Sequence, residues 1–337
     1  MPAFRNARIH EITSERRGLT RLLLEGGDQA YALTDLTGPV AAGDEVVVNT
    51  TAVDLRLGSG GWHVVHWNLT RGPWEQPGPG HLVKLRYTSL QTDTGVGEEA
   101  GDVPSSLAGM PVVAAGVHSQ LPVVAAAIAR RRPGTRVAYV MTDGAALPIA
   151  LSDVVAELRE HDLLVGTVTA GHAFGGDIEA LNVASALALA RHRLDAEVAI
   201  VAMGPGGAGT GSHLGFTALE VASVLDLAAW LDGRPVACLR CSEADPRPRH
   251  QGISHHSTTA LDAVRTEVDV AHPPGIDAPA GARHRWHAID PGSPRELLDG
   301  FGLAVTSMGR IVDDDPTYFA AAAAAGELAV DLLGADS

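Results

Sequence analysis

The sequence predicts an α/β protein in which a small antiparallel β-barrel or sandwich precedes a doubly wound, mostly parallel α/β domain. Short alternating segments separated by turn residues fill residues 4–90, which is typical of small all-β domains. From Met110 onward, Val-rich runs alternate with helix-like stretches, as in a parallel sheet buried on both faces. We expect the all-β domain at residues 1–92 and a Rossmann-like α/β domain at residues 107–337.

The N-terminal strands follow from period-two alternation and from glycine turns between the runs. They are predicted at residues 7–13, 19–24, 31–33, 46–48, 63–67 and 81–88. The stretch from Thr92 to Ser106 is acidic and has no periodicity, so it predicts a surface loop that separates the domains. Lys84 is the one lysine beside 24 arginines, and this unusual choice makes it a candidate ligand-binding residue in the last N-terminal strand.

The α/β elements follow from apolar runs bounded by turn residues. Predicted strands cover residues 111–117, 137–141, 163–169, 198–203, 236–239, 268–271 and 286–289. Predicted helices cover residues 121–132, 148–160, 178–193, 216–231, 258–265 and 294–301. A C-terminal helix is expected to begin at Pro316, with Asp315 as its N-cap.

Composition narrows the classes of partner and the compartment. The chain has 337 residues and a net charge of −15, which argues against nucleic acid or an anionic membrane as the partner, because both attract basic surfaces. Two cysteines indicate a reducing compartment. No secretory leader or membrane-spanning run is visible, so we expect a cytoplasmic protein. A homodimer is expected because most oligomers with closed symmetry are dimers.

A glycine-rich loop, Gly204 to Gly215, directly follows the predicted strand at residues 198–203. Its first part has G-x-G-x-x-G spacing, which lets backbone N–H groups approach an anion beside a helix N-terminus. The loop lies in the fourth βα unit and the next strand ends in Arg240, unlike a classical dinucleotide site. We therefore expect a small anionic, phosphate-bearing ligand. The candidate binding residues here are Gly204, Gly206, Gly207, Gly209, Thr210 and Gly211.

Polar residues follow every predicted strand of the α/β domain, whereas the opposite connections are plain turns. The carboxyl ends of parallel strands share one edge of a sheet, where ligands bind. The further ligand-binding candidates are His118, Ser119, Thr142, Arg240 and Arg249, together with Lys84. Candidate catalytic acid–base groups are Asp143, His172, Asp177 and His255.

A divalent metal ion is one alternative for this edge, because histidine with carboxylate suits Zn, Mn or Fe. The candidate ligands are His118, His172, Asp177 and His256. Adjacent His255 and His256 are expected to point in different directions, so at most one of them would bind a metal directly.

The function predicted from these residues is an enzyme, a transferase or hydrolase, acting on a small anionic metabolite. Transferase or hydrolase chemistry fits because no electron-carrier motif is convincing. The alternatives are a non-catalytic metabolite sensor and an assembly protein whose glycine loop meets a partner chain.

Several longer strings point to a family. They include Pro79-Gly-His-Leu-Val-Lys-Leu-Arg-Tyr87, Tyr139-Val-Met-Thr-Asp-Gly144, Ala173-Phe-Gly-Gly-Asp177 and Ser242-Glu-Ala-Asp245. With these strings the chain resembles an uncharacterised actinobacterial family, domain-of-unknown-function family 3866. The resemblance implies no activity, substrate or catalytic residue.

Overall fold

The computed structural model describes residues 2–57 and 60–334. The chain divides into two compact units between Gly95 and Val96. This division lies inside the stretch that the sequence predicts as a loop between domains.

The first unit is built on a barrel. Its strands are β1 (Phe4–Arg16), β2 (Leu19–Leu24), β3 (Gln29–Ala32), β4 (Glu45–Asn49) and β5 (His63–Asn68), with short helices α1 (Thr34–Thr37) and α2 (Thr51–Asp54) between them. Within the described residues, five strands close in the order β1-β2-β3-β5-β4. This confirms the barrel. Its strand pairs are antiparallel except for β3 with β5, where Ala30 lies opposite His63 in a parallel pair.

The barrel interior is filled by the apolar half of each alternating strand. Ile9, Leu22, Val46, Val48 and Val65 belong to one buried cluster. Because successive side chains of a strand point to opposite faces, period-two alternation places these residues inside and their neighbours outside.

The strand predicted at residues 81–88 is wrong in extent. Only β6 (Val83–Lys84) pairs, with β7 (Thr92–Asp93). Leu85 and Tyr87 have φ angles of 52° and 62°, and this left-handed backbone ends a strand. The alternation of Leu, Lys and Arg therefore reflects a turn-rich segment.

The second unit contains a parallel sheet. Its first six strands are β8 (Pro111–Ala115), β9 (Val137–Thr142), β10 (Gly166–Ala170), β11 (Ile178–Ala180), β12 (Val198–Met203) and β13 (Arg234–Cys238). Two short strands, β14 (Cys241–Ser242) and β15 (Gly252–Ile253), pair with each other outside this sheet. The last two strands of the sheet are β16 (Asp269–His272) and β17 (Arg285–Ala288). In the described chain its eight strands run in the order β11-β10-β9-β12-β8-β13-β16-β17, and every pair is parallel. The predicted α/β class is confirmed.

Helices cover both faces of this sheet. They are α3 (Leu121–Arg131), α4 (Asp153–Glu160), α5 (Val183–Arg193), α6 (Glu220–Trp230), α7 (His255–Ala263), α8 (Pro294–Gly300) and α9 (Pro316–Leu333). Buried residues of α3, α4, α8 and α9 share one apolar cluster, and those of α5, α6 and α7 share another. The sheet is therefore wound on both sides.

The direction of winding reverses at two neighbouring strands, β8 and β12, which pair through Ala114 and Val201. From β8 the chain enters α3 on one face, and from β12 it enters α6 on the other. The two connections therefore separate at the carboxyl ends of β8 and β12. Such a reversal leaves a crevice that open α/β sheets use for ligands.

The third βα unit differs from the prediction. The predicted helix 178–193 begins as strand β11, and α5 begins at Val183 after Asn182, whose side chain caps the helix by accepting the Ser185 N–H. The loop after β10 therefore returns the chain to the amino end of β11. Asp177 lies at this amino end, not at the carboxyl edge where the sequence places it.

Helix α9 packs closely on α3. A side-chain carbon at Gly326 would lie 2.6 Å from the Val124 carbonyl oxygen and 2.9 Å from Ala127 Cβ. The buried alanine run before it allows the same close approach. No helix among residues 2–57 and 60–334 is long and apolar enough to cross a membrane.

Candidate functional site

A cavity of about 350 Å³ opens at the carboxyl edge of the sheet, where the winding reverses. Its walls are the loops after β8, β12 and β13, together with Thr306 and Met308. Nine of the residues predicted from the sequence line it: His118, Ser119, Gly206, Gly207, Gly209, Thr210, Arg240, Arg249 and His256.

The β8 wall contains His118, which is 9% exposed. Its Nδ1 lies 3.1 Å from the Met203 carbonyl oxygen, and its Nε2 lies 2.7 Å from Ser152 Oγ. A carbonyl only accepts, so Nδ1 carries the proton and Nε2 accepts from the serine. Burial lowers the pKa of His118 to about 4, although the Met203 contact opposes the shift. Both ring nitrogens are thus engaged, which leaves no lone pair for the predicted metal.

Ser119 lies next to His118 on the same wall. Its hydroxyl is 2.7 Å from Tyr318 OH and 3.1 Å from Ser307 Oγ. The side chain therefore connects the end of β8 to the start of α9 and to the segment before it. Burial raises the pKa of Tyr318 to about 12, so this phenol is a neutral hydrogen-bonding group at physiological pH.

The glycine loop forms the β12 wall, and at two of its positions a larger residue would be strained or crowded. Gly206 has a φ of +90°, and a side-chain carbon at Gly207 would lie 2.9 Å from Met203 Sδ. Thr210 donates its N–H to the Gly215 carbonyl, and its hydroxyl contacts Ser212. The loop is thus folded on itself. Gly204 and Gly211 are outside the cavity lining within the described residues.

The N-terminus of α6 does not directly follow the loop. A single 3₁₀ turn, Thr217–Leu219, comes first, and α6 begins at Glu220. The Glu220 carboxylate accepts a 2.7 Å hydrogen bond from Thr142 Oγ1. A carboxylate of the chain therefore already lies where the helix dipole favours a negative charge, in place of the bound anion expected there.

The loop after β13 is organised by Asp245, which is 1% exposed. Arg247 donates two hydrogen bonds to it, with Nε–Oδ1 and Nη2–Oδ2 distances of 2.9 and 2.8 Å. Arg240 Nη2 lies 3.2 Å from the same carboxylate. The hydrogen bonds from Arg247 hold the pKa of Asp245 well below its usual range, against the effect of burial. The carboxylate therefore fixes two of the cavity's arginines.

The charges around Asp245 do not cancel. Arg310 approaches Asp245 at 3.7 Å and Asp315 at 3.2 Å. Arg249 lines the cavity and is exposed, and it makes no ion pair or side-chain hydrogen bond with any residue that the structure describes. Counting Arg240 and Arg247, four guanidinium groups face two carboxylates, which leaves two positive charges in a chain whose net charge is −15.

Three histidines meet beside these arginines: His250, His255 and His256. Their ligand nitrogens all lie within 4.8 Å of one another. His255 and His256 are the first residues of α7, and their ring centroids are 4.4 Å apart. The expectation that they point apart is wrong, because side chains in a first helical turn lean towards the N-terminus, where His250 lies.

Burial and positive neighbours keep these imidazoles neutral. Burial and then Arg240 lower the pKa of His250 to about 4 and that of His256 to about 3. Burial and then Arg249 lower the pKa of His255. Phe216 stacks on His256 at 4.0 Å between ring centroids. At neutral pH the cluster therefore offers ring nitrogens with free lone pairs or N–H donors.

Three predicted residues form a separate group at the ends of β9 and β10. Asp143 Oδ2 accepts the His172 backbone N–H at 2.9 Å, and Thr142 bonds to Glu220. Burial and the nearby Asp143 raise the pKa of Glu220, although the Thr142 hydrogen bond opposes the shift. These residues lie outside the cavity lining in the described chain.

Asp177 is engaged in the scaffold. Arg159 donates to its two carboxylate oxygens at 2.9 and 2.8 Å, and the Thr167 N–H and hydroxyl bond to it as well. Burial raises the pKa of Asp177, but the hydrogen bonds from Arg159 and Thr167 outweigh it, and the net pKa is lowered. This carboxylate ties the end of α4 to the start of β10.

Lys84 belongs to the first unit and is buried, whereas every residue lining the cavity belongs to the second. The predicted role of Lys84 in ligand binding stays a prediction.

The structure adds residues that the sequence-based site lacks. Asp245 and His250 lie in one short segment between β14 and β15, and Arg310 and Asp315 come from before α9. The first two carry local signals: an Asp two residues before an Arg, and a His five residues before a His pair. The last two carry none, because they reach Asp245 only through the fold.

Comparisons with known proteins place the chain in a family without an assigned activity. No curated protein and no solved structure matches it. A family model described as a protein of unknown function matches residues 29–326, which cover strands β3, β4 and β5 of the barrel and nearly all of the α/β unit. The chain belongs to this family, DUF3866.

Proposed function

We propose that the protein is an enzyme, a transferase or hydrolase, that binds a small anionic, phosphate-bearing metabolite in the cavity at the carboxyl edge of the sheet. The observation that carries this proposal is Arg249. It lines the cavity beside Arg240 and Arg247, and none of the described residues neutralises it.

Arginine suits such a ligand because its planar fork donates paired hydrogen bonds to phosphate or carboxylate oxygens. Arg240 and Arg247 are already oriented by Asp245, so they lose little freedom when a ligand binds. The volume of about 350 Å³ is in the range of small-molecule sites, roughly 300–1,000 Å³. Charge and size together favour a small phosphate ester over a polymer.

The reaction class follows from the groups next to the arginines. Neutral His250 and His256 line the same cavity, and neutral imidazole nitrogens either accept a proton or bind a metal ion that activates water. Positive charge stabilises the negative charge that develops on a transferred acyl or phosphoryl group. These features support group transfer to water or to a second substrate.

A non-catalytic sensor is the second candidate. It is favoured by His118 and Ser119, whose polar groups on the β8 wall already bond to Ser152, Met203, Ser307 and Tyr318. A cavity with fewer unengaged groups binds a ligand without necessarily transforming it.

The test compares Arg249→Ala with Arg265→Ala, an exposed arginine of the same unit that contributes no cavity lining among the described residues. Inorganic phosphate and pyrophosphate are titrated by calorimetry at fixed ionic strength. We expect Arg249→Ala to weaken binding about 10-fold or more, since a hydrogen bond to a charged group contributes about 1.5–3 kcal/mol, and Arg265→Ala to bind like the wild type. Equal affinity of the two variants would contradict the proposed site.

Turnover separates the enzyme from the sensor. The wild type is incubated with a panel of phosphate monoesters and diesters, each with and without an alcohol or amine acceptor, and the loss of each ester and the formation of its products are followed by mass spectrometry. Turnover that Arg249→Ala reduces supports the enzyme. Tight binding of an ester without any turnover supports the sensor.

A further inference from the structure

We infer that His250, His255 and His256 together bind one divalent transition-metal ion at the wall of the cavity. Their ligand nitrogens already lie within 4.8 Å of one another. In a tetrahedral zinc site with Zn–N bonds of about 2.0–2.1 Å, neighbouring nitrogens are about 3.3 Å apart. Small rotations of the three rings therefore suffice to form the site.

His250 is positioned by a second contact of the kind that metal-bound histidines make. The residue is 1% exposed, and its Nδ1 lies 2.7 Å from Ser254 Oγ. This contact orients the ring and leaves Nε2 as the ligand atom. Ser254 also caps α7 by accepting the His256 backbone N–H. One hydroxyl thus fixes both His250 and the start of the helix that carries the other two ligands.

His255 supplies an independent indication of a ligand. Its Nε2 is buried and has no hydrogen-bond partner within the part of the chain that the structure describes. An unsatisfied buried polar atom costs about 1–3 kcal/mol, and coordination of Nε2 by a metal removes this cost. Phe216 contacts the ring edge-on, with 5.5 Å between centroids, and limits the ring's movement.

His256 connects the metal to the arginines. Its Nδ1 lies 3.5 Å from Arg240 Nη1, the outer limit of a hydrogen bond, and arginine can only donate. Metal binding at Nε2 requires the proton on Nδ1, which then repels the Arg240 donor. Arg240 Nη1 therefore loses this contact when the metal binds and becomes available to an anion in the cavity, while Asp245 still holds Nη2.

The three histidines leave a fourth coordination position on the cavity side, because His250 and His256 line the cavity. Water or a ligand oxygen fits there, as in zinc sites that polarise their substrates. Arg240, Arg247 and Arg249 oppose a cation, so a bound anion should strengthen metal binding, and the metal should strengthen anion binding equally. This coupling rests on the proposed function, whereas the metal site itself does not.

The experiment uses the full chain after dialysis against a chelator. Zn²⁺ is titrated by calorimetry into the wild type, into His250→Ala, His255→Ala and His256→Ala, and into His161→Ala, which removes an exposed histidine at the end of α4. We expect one ion per wild-type and His161→Ala chain. The affinity of each cluster variant should fall at least about 10-fold, which is the smallest loss typical even of residues that only orient a metal ligand. Thermal unfolding without metal verifies that each variant is folded.

Cobalt and phosphate complete the test. Co²⁺ should give the visible absorption of a tetrahedral site in the wild type, and His255→Ala should lose it even if His250→Ala fails to fold. Inorganic phosphate should raise the Zn²⁺ affinity of the wild type and not that of Arg249→Ala. Equal Zn²⁺ affinity in all variants, or none in the wild type, would overturn the metal site. If phosphate still binds in that case, the anion site stands alone.

Discussion

At the scale of single residues, one buried carboxylate determines the shape of the cavity's charged wall. Asp245 has a fully buried side chain and receives Arg240, Arg247 and Arg310. Loss of the counter-charge lowers the free energy of unfolding far more when the guanidinium is buried than when it is exposed. The arrangement of the arginines therefore depends on Asp245 more than on any one arginine.

Asp245→Asn should lower the free energy of unfolding by about 3–5 kcal/mol, the cost of leaving a buried charge without its partner. Arg240, with a side chain 6% exposed, is the charge left unpaired. Urea unfolding followed by circular dichroism measures the change. The matched variant Asp331→Asn breaks an exposed pair with Arg131 and should cost under about 1 kcal/mol. Similar losses in the two variants would show that Asp245 is not organising the wall.

The sequence indicated which residues share one edge of the sheet, since nine of the predicted residues line one cavity. It could not show which of these polar side chains are engaged in hydrogen bonds or ion pairs within the protein. The backbone carbonyl that His118 contacts lies 85 residues further along the chain. Asp177 pairs with Arg159 because a three-residue strand, β11, precedes α5. Such a short strand is too brief to stand out from the helix pattern after it.

At the scale of elements, α9 and α3 approach each other through small residues. The run Ala320 to Ala325 predicted a helix, and its residues from Ala321 onward are buried in α9. At Gly326 the Val124 carbonyl oxygen leaves no room for a side chain. Glycine has a low helix propensity, but at this position it allows α9 to pack closely against α3.

Gly326→Ala tests this packing. Alanine favours a helix by about 1 kcal/mol over glycine, but overpacking costs about 1–3 kcal/mol, so we expect a net loss of stability in thermal unfolding. Gly300→Ala, at the end of α8 where no atom lies within 4 Å of the added carbon, should be neutral or slightly stabilising. A gain at position 326 would mean that α9 shifts easily on α3.

The edge strand β17 is held to β16 by an ion pair that acid should weaken. Asp269 accepts hydrogen bonds from Arg285 and His287. Burial raises the pKa of Asp269, but these hydrogen bonds outweigh it and the net pKa is lowered. A depressed folded pKa contributes stability above the unfolded value of about 3.9, and the contribution is lost as pH falls through the folded pKa.

The difference in unfolding free energy between the wild type and Asp269→Asn should therefore be greatest above about pH 5 and should shrink in stronger acid. Denaturant unfolding across pH 3–7 measures it. Glu267→Gln removes an exposed partner of the same Arg285 and should have little effect at any pH. A difference for Asp269→Asn that stays constant with pH would contradict this account.

At the scale of the whole molecule, the class of each unit was predictable and the order of strands was not. Val-rich runs at residues 137–142 and 198–203 indicate buried parallel strands, yet nothing local shows that β12 inserts between β8 and β9. That order places the carboxyl ends of β8 and β12 side by side, and the loops after both strands line the cavity. In the barrel, the parallel pairing of β3 with β5 likewise could not be predicted from either strand alone.

The contact between Asp315 and the loop after β13 bears on how the protein is made. Ser242 Oγ donates to Asp315 at 2.6 Å, and the Ser119 hydroxyl contacts Tyr318. Residues at the start of α9 therefore hold two walls of the cavity. A ribosome produces these residues about 200 positions after Ser119. Synthesis proceeds from the N-terminus and units fold as they emerge. The cavity wall that contains Arg240, Arg247 and Arg249 is therefore completed late, after the barrel and most of the parallel sheet have left the ribosome.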